Sequence, residues 1–342
     1  MATRASTVAA VFIALGLVWS CSPDDSAGTV GDTAGAVATV APELPTATTL
    51  AGAPRTPLSS LETARLTLDS PDWLTSAGGD LWVRLDGGDV VRVDPDRAET
   101  VATVPPMGNS QFAACQGLGA GAAVWACGKA YVQRIDPRTS EVTEHFEFEV
   151  SRSQGTIATA DGKAWFLSGD GSSFITVSED TNEVSEPVPL GATCNDLASD
   201  GSTVWASCAA DNAVLAIDAA SGAVTRALTV DEPRRVAVGD YLWVSSPVGV
   251  VQVEPDDLSV KAVFDVGDVS TADVSESGDA AWVRTGGGPF LVEIDPEQGT
   301  VVAVVTSGDL ASGGNSLMID GQLWATAYDD ATLVRLTPPT DE

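Results

Sequence analysis

Seven tryptophans, Trp82, Trp125, Trp165, Trp205, Trp243, Trp282 and Trp324, recur at intervals of 43, 40, 40, 38, 39 and 42 residues. A period of about forty residues marks a repeat architecture, and it has to be recognised before any local structure is assigned. Most of these tryptophans follow a turn rich in Gly and Asp, as at Gly79-Asp80, Asp161-Gly162, Asp200-Gly201, Gly239-Asp240, Gly278-Asp279 and Asp320-Gly321. Such turns suit the positive backbone angles of tight hairpins. About a dozen residues after each Trp comes an apolar residue, an acid and often a proline: Val93-Asp94-Pro95, Ile135-Asp136-Pro137, Ile217-Asp218, Val253-Glu254-Pro255, Ile294-Asp295-Pro296.

Each repeat therefore reads as four short strands, A to D, with the Trp in strand B. Helical periodicity is absent. The triplets Leu81-Trp82-Val83 and Leu242-Trp243-Val244 are apolar on both faces, so strand B must be covered on both sides. Four-stranded blades packed face to face around an axis provide that cover. The chain is expected to be an all-β, seven-bladed β-propeller spanning residues 60 to 338. After Leu333-Val334-Arg335-Leu336 too few residues remain for a fourth strand, whereas Glu62 to Leu68 has that strand's pattern. An N-terminal strand is thus expected to complete the last blade and close the ring.

The residues before the repeats carry signals of another kind. Arg4 followed by an apolar run from Val8 to Trp19 reads as a signal peptide over 1–20. The run ends Leu17-Val18-Trp19-Ser20-Cys21, which resembles the bacterial lipoprotein signal and makes Cys21 the lipidation candidate. An ordinary secretory signal is the alternative. Residues 21–59, rich in Ala, Thr, Pro, Gly, Ser and Asp and free of aromatics, are expected to be a flexible linker holding the folded part off the membrane. The net charge of −31 disfavours nucleic acid and anionic membrane surfaces as partners, since both need basic patches. Membrane contact is expected only through the lipid, in the cell envelope, and the protein is expected to be a monomer.

Four further cysteines lie symmetrically about two A–B turns. Hairpin register selects the disulfides Cys115–Cys127 and Cys194–Cys208, which suit an oxidising compartment. A metal site is the alternative reading, with only one His in the chain.

The A–B and C–D turns are uniform, whereas the D–A and B–C connections vary, and variable loops on a rigid scaffold are where function sits. Counting back to the start of each strand A gives a candidate ligand-binding ring of Trp73, Gln111, Gln154, Asn195, Arg235, Asp273 and Asn315. Nearby B–C loops add Arg84, Lys129, Asp170, Asp211, Arg284 and Tyr328. Such a ring suits a small polar ligand, or a partner protein laid over the variable face. A water-filled channel would also need a polar lining.

The turn, Leu-Trp-Val and apolar-acid-Pro pattern resembles the repeats of virginiamycin B lyase-like (streptogramin lyase) propellers over about residues 61 to 338. The resemblance implies a propeller with histidines, a Glu and Mg²⁺ in its central cleft. This chain departs from it: the single His145 falls in an outer D strand, far from the axis. A similarity to metal-dependent lactonase propellers would make Asn195, Asp273 and Asn315 oxygen donors to Ca²⁺. No catalytic residue is assigned from the sequence and no cofactor is expected, with Ca²⁺ or Mg²⁺ the alternative. The leading expectation is a non-catalytic binding propeller. The competing one is a divalent-cation-dependent lyase or lactonase-like hydrolase.

Overall fold

The computed structural model describes residues 37–107, 115–128, 130–151, 157–270, 272–310 and 313–338. Cys21, Gln111, Lys129 and Gln154 lie outside them, as do the signal peptide and the first part of the expected linker. Seven antiparallel sheets follow one another in chain order, each with the pattern A-B-C-D. Blade 1, for example, runs through Pro71–Ala77, Asp80–Leu85, Val90–Asp94 and Glu99–Val104. The expected seven-bladed propeller is observed.

What joins one blade to the next is the tryptophan of strand B. All seven marker tryptophans are at most 1% exposed. Trp82 packs on Leu118, Val124 and Ala126 of blade 2, and Trp125 on Ile157, Ala164 and Phe166 of blade 3. The series continues round to Trp324, which packs on Leu81, Val83 and Val91 of blade 1. The same triplet therefore sends its Trp forward and receives the previous Trp on its flanking residues, which is why it is apolar on both faces. Burying an indole of this size contributes about 4–6 kcal/mol gross. Two indoles are also latched by the next blade: Trp125 Nε1 donates to Glu179 at 3.1 Å and Trp243 Nε1 to Glu276 at 2.9 Å.

The apolar-acid signature marks a β-bulge followed by an acid-capped turn. The C–D pairing slips one residue at Arg92/Val93, Arg134/Ile135, Ala216/Ile217, Gln252/Val253 and Glu293/Ile294. The acid that follows accepts from backbone amides ahead of it, as Asp94 does from Asp96 and Arg97 at 3.0 and 2.9 Å. The short carboxylate thus holds the turn that sends strand D back along the outside.

Strand β4 (Glu62–Thr67) pairs antiparallel with Thr332–Leu336 and becomes the outer strand of blade 7, closing the ring as expected. The segment before it departs from expectation. The reading of 21–59 as a flexible linker fails from Val37 onward, and the compact unit begins there rather than at residue 60. Three short strands, β1 (Ala38–Val40), β2 (Thr48–Thr49) and β3 (Arg55–Pro57), lie parallel to the outer strands of blades 4, 5 and 6. Between and after them, Ala47, Leu50 and Leu58 pack into successive inter-blade clusters. Composition misled because a segment too polar to bury its own surface was judged alone. Here the outer strands supply the hydrogen-bonding edge and the grooves between blades take the few apolar side chains.

Both disulfides, Cys115–Cys127 and Cys194–Cys208, form in the register the hairpins predict. His145 lies exposed in an outer strand, Val142–Phe146.

The belt and the closing strand should differ in weight. Removing residues 22–57 leaves the ring closed but bares three outer edges, and is expected to lower Tm while keeping one cooperative transition; each 1 kcal/mol lost shifts Tm by roughly 2–4 °C for a domain of this size. Extending the deletion through residue 69 removes the closing strand and is expected to abolish cooperative unfolding. Calorimetry of the two truncations checks this, and equal melts for both would refute the division of roles.

Candidate functional site

Strand pairing fixes which residue begins each strand A. The residue two past the marker Trp on strand B faces Asp196, Arg235, Asp273 and Asn315 in blades 4 to 7: the pairs are Asp196 with Ser207, Arg235 with Ser245 and Asp273 with Arg284, and Asn315 is hydrogen-bonded to Thr326. Arg235, Asp273 and Asn315 are therefore where the sequence places them. Asn195 is one residue off, and Asp196 takes the position instead. Asp196 lies nine residues before its marker Trp, as Asp273 and Asn315 do, whereas Asn195 lies ten before it.

Asn195 serves instead as a brace. Its Nδ2 donates to Ser207 Oγ at 3.2 Å and to the Arg234 carbonyl, and its Oδ1 accepts from the Ala209 amide at 3.1 Å. It binds the B–C loop of its own blade to the start of the next. Asp170 and Asp211 are likewise used locally. Hydrogen bonds from Ser172 and Ser168 hold the Asp170 carboxyl down at about 2, and Asp211 accepts the Thr193 amide at 2.7 Å. Arg84 and Arg284 are fully buried and donate to backbone carbonyls, Arg84 to Gly88 and Cys127 and Arg284 to Thr326, Thr285 and Phe290. Each guanidinium reaches across to the next blade.

A polar network joins blades 5, 7 and 1. Arg235 Nη1 donates to Asn315 Oδ1 at 2.9 Å, and Asn315 Nδ2 donates to Asp72 Oδ1 at 2.9 Å. The Arg235 guanidinium also stacks over the Trp73 ring, 4.4 Å from its centroid. Asp196 and Asp273 each brace the following blade, accepting the Val236 and Ser316 amides at 3.0 Å. Burial lifts the carboxyls of Asp196 and Asp273 above the ordinary range, and Arg235 opposes the shift in both. Asp72, 5% exposed, is pushed up to about 6, mainly by burial, with Asp86 and Asp273 adding to the rise and Arg235 and Asn315 opposing it.

Above this network opens a cavity of about 260 Å³ lined by Asp72, Gln116, Arg235, Ser270, Gly286, Gly313, Gly314, Tyr328 and Asp329. Every lining residue belongs to a D–A or B–C connection or to the start of a strand A, so the cavity opens on the variable face. Gly314 is required there, because a Cβ at that position would stand 2.3 Å from the Thr326 carbonyl. Burial, together with the neighbouring acids Asp86, Asp72 and Asp329, holds the Tyr328 hydroxyl protonated up to about 12. Sequence counting finds Tyr328 and Arg235 but misses Asp72, Gln116 and Asp329. Asp72 escapes because the A–B pairing of blade 1 slips between Pro71 and Leu74, and that bulge brings a second side chain beside Trp73 to the axis.

Among the described residues no group of three or more His, Cys, Asp or Glu side chains is arranged to hold a metal ion. Oxygens of the three expected donors already accept protein hydrogen bonds, from Ala209, Ser316 and Arg235.

No protein-family model and no curated protein sequence matches the chain. Solved structures do. The β-propeller domain of Cps50 (Swd1) from Myceliophteria thermophila superposes with a TM-score of 0.67 at 13% identity, covering 82% of this chain and 99% of that one. The WD40 domain of Neurospora crassa Pan2 gives 0.64 at 11% identity over 81% and 91%. BamB from Moraxella catarrhalis gives 0.56 at 13% identity over 81% and 99%. At these identities the likeness is one of fold.

The Asp72 shift has a definite sign. The folded state holds a proton to about pH 6 that the unfolded chain releases near pH 3.8, so the associated stability is full below pH 4 and lost as pH rises through 6. Asp72→Asn keeps the acceptor for Asn315 and is expected to remove this loss, on the order of 2–3 kcal/mol, from the decline between pH 4 and pH 7. Urea unfolding of both proteins across that range checks it; parallel curves would show that Asp72 titrates normally.

Proposed function

We propose that the chain is a non-catalytic binding protein of the bacterial envelope, tethered through a lipidated Cys21, whose propeller takes a small polar ligand in the axial cavity of its variable face. The observation that carries this reading is the cavity itself. Five blades send polar side chains and glycine backbone to one point on the axis, and the groups beneath it are fixed by hydrogen bonds between blades. Its volume of about 260 Å³ suits a molecule smaller than a typical drug ligand. The polar groups around it brace one another and the strands rather than pairing a nucleophile with a base, which favours recognition over reaction. Two disulfides support an oxidising, extracytoplasmic setting. The sequence Leu17-Val18-Trp19-Ser20-Cys21 supports the lipid anchor.

Thermal-shift titration with a panel of monosaccharides, polyols, amino acids, amines and dicarboxylates tests the reading. A ligand at a hundred times its Kd stabilises by about 2.7 kcal/mol, a shift of several degrees, and this gain is expected to vanish in Tyr328→Ala. Hits that survive Tyr328→Ala would move the site off the axis, and shifts confined to a protein partner would replace the small ligand with a docking role. Cys21→Ala is expected to abolish palmitate labelling and release the protein from membranes.

A further inference from the structure

Resting on the reading of the axial cavity as the ligand site, we propose that its ligand is a neutral polyhydroxylated molecule of monosaccharide size. A polar cavity open to solvent fills with water, and a ligand gains affinity there only if it renews the hydrogen bonds of the water it displaces. The wall calls for donors and acceptors at once. Asp72 is 5% exposed and gives Oδ1 to Asn315, whereas its Oδ2 makes no hydrogen bond among the described residues and is not sealed off from the cavity that Asp72 lines. The Tyr328 hydroxyl stands beside Asp86 and is held protonated, so it offers a proton as well as lone pairs. Gln116 presents an amide, its Nε2 tied to Asp86 at 2.6 Å. Arg235, fixed by Asn315 and by the Trp73 ring, is the cation of the lining.

Such a wall selects against charge of either sign. A carboxylate would face Asp72, Asp86 and Asp329. An ammonium would meet Arg235 and would need Asp72 in its charged form, which burial disfavours. A hydroxyl suits both forms, because it donates to the carboxylate and accepts from the protonated acid. Asp72 changes state near pH 6 in the field of Arg235 and Asn315 from blades 5 and 7 and of Asp86 and Asp273 from blades 1 and 6, with Tyr328 and Asp329 on the lip. A ligand matched to both states keeps its affinity through that change. The volume of about 260 Å³ amounts to roughly nine waters, room for one sugar ring with its hydroxyls. Tyr328 is half-buried, and its amide is bonded to the Gly313 carbonyl. Gly313 and Gly314 leave the wall there without side chains, so the Tyr328 ring can take the C–H face of a sugar while hydroxyls at the sugar's edge reach Asp72.

Calorimetric titration of the mature chain with D-glucose, D-galactose and D-mannose, each beside its 2-amino sugar and its uronate, varies the charge on one ring shape. At least one neutral hexose is expected to bind, about tenfold or more tightly than its own charged derivatives, with an affinity that changes less than about threefold between pH 5 and pH 7.5. Tyr328→Phe, which keeps the ring, and Asp72→Ala are each expected to weaken it about tenfold, while Glu186→Gln on the outer surface leaves it unchanged. An amino sugar or a uronate that binds as tightly as its parent, and is lost in Tyr328→Phe, overturns the neutral class and leaves the cavity as a ligand site. A hexose affinity that swings about tenfold with pH has the same consequence. Hexose binding indifferent to both Tyr328→Phe and Asp72→Ala takes the site off the axis and overturns the assignment together with the reading it rests on. If none of these sugars binds, the polyol is overturned, and the broader panel above then decides the cavity.

Discussion

The contact on which this structure depends is an indole laid across the gap between neighbouring blades. A single four-stranded blade cannot bury Trp82 by itself, because the ring projects from one face of strand B; it needs Leu118 and Val124 of the next blade. The same holds for each repeat in turn, so no blade is complete without its successor. The last must find the first, and Trp324 does so on Leu81 and Val83. Stability is then shared around a closed circuit, and the closing strand β4 matters beyond the hydrogen bonds it makes, because opening blade 7 threatens the packing on both of its sides.

A ring of blades leaves a second problem at its circumference. Each outer strand presents a row of unpaired amides and carbonyls, the feature that makes exposed sheets aggregate. The chain answers it for blades 4, 5 and 6 with its own N-terminal belt, running parallel to the edges it covers. The closing strand of blade 7 carries Arg65, held by Glu62 and Asp309. Blade 3 has an outer strand of only two residues ending in Pro189, and blade 2 carries Glu144 and His145 on an exposed strand. Short strands, prolines and charge are different means to one end.

The parts of the fold that repeat were legible, because repetition averages out local ambiguity: the marker tryptophans, the bulge-and-turn signatures and the symmetric cysteine pairs each said the same thing more than once. The parts that occur once were not. Residues 37–57 read as a linker because their few apolar side chains, Val40, Ala47 and Leu50, are spaced for grooves on other blades rather than for a core of their own. At the axis, Arg235, Asp273 and Asn315 were found by counting from Trp, whereas Asp196 was missed by one residue and Asp72 by a bulge. Register errors of one residue leave the alternation of a single strand looking intact, and for Asp196 only the nine-residue spacing to Trp that Asp273 and Asn315 share tells the two readings apart. They decide which side chain faces the axis, since successive residues of a strand point to opposite sides.

The axis itself is a constraint that no single blade controls. Seven strands A converge there, and whatever stands at their first positions is crowded together away from water. Apolar side chains at those positions would pack into a plug, as the Trp layer does further out. This chain instead sets charged and amide groups there, at a cost in desolvation that raises the carboxyls of Asp72, Asp196 and Asp273. Part of that cost is offset by Arg235 and by amides of the following blades, so the network is rigid and its members are preset in direction. Preset polar groups that are expensive to bury lose little further freedom when a ligand arrives, which is the energetic condition for selective binding by so small a cavity.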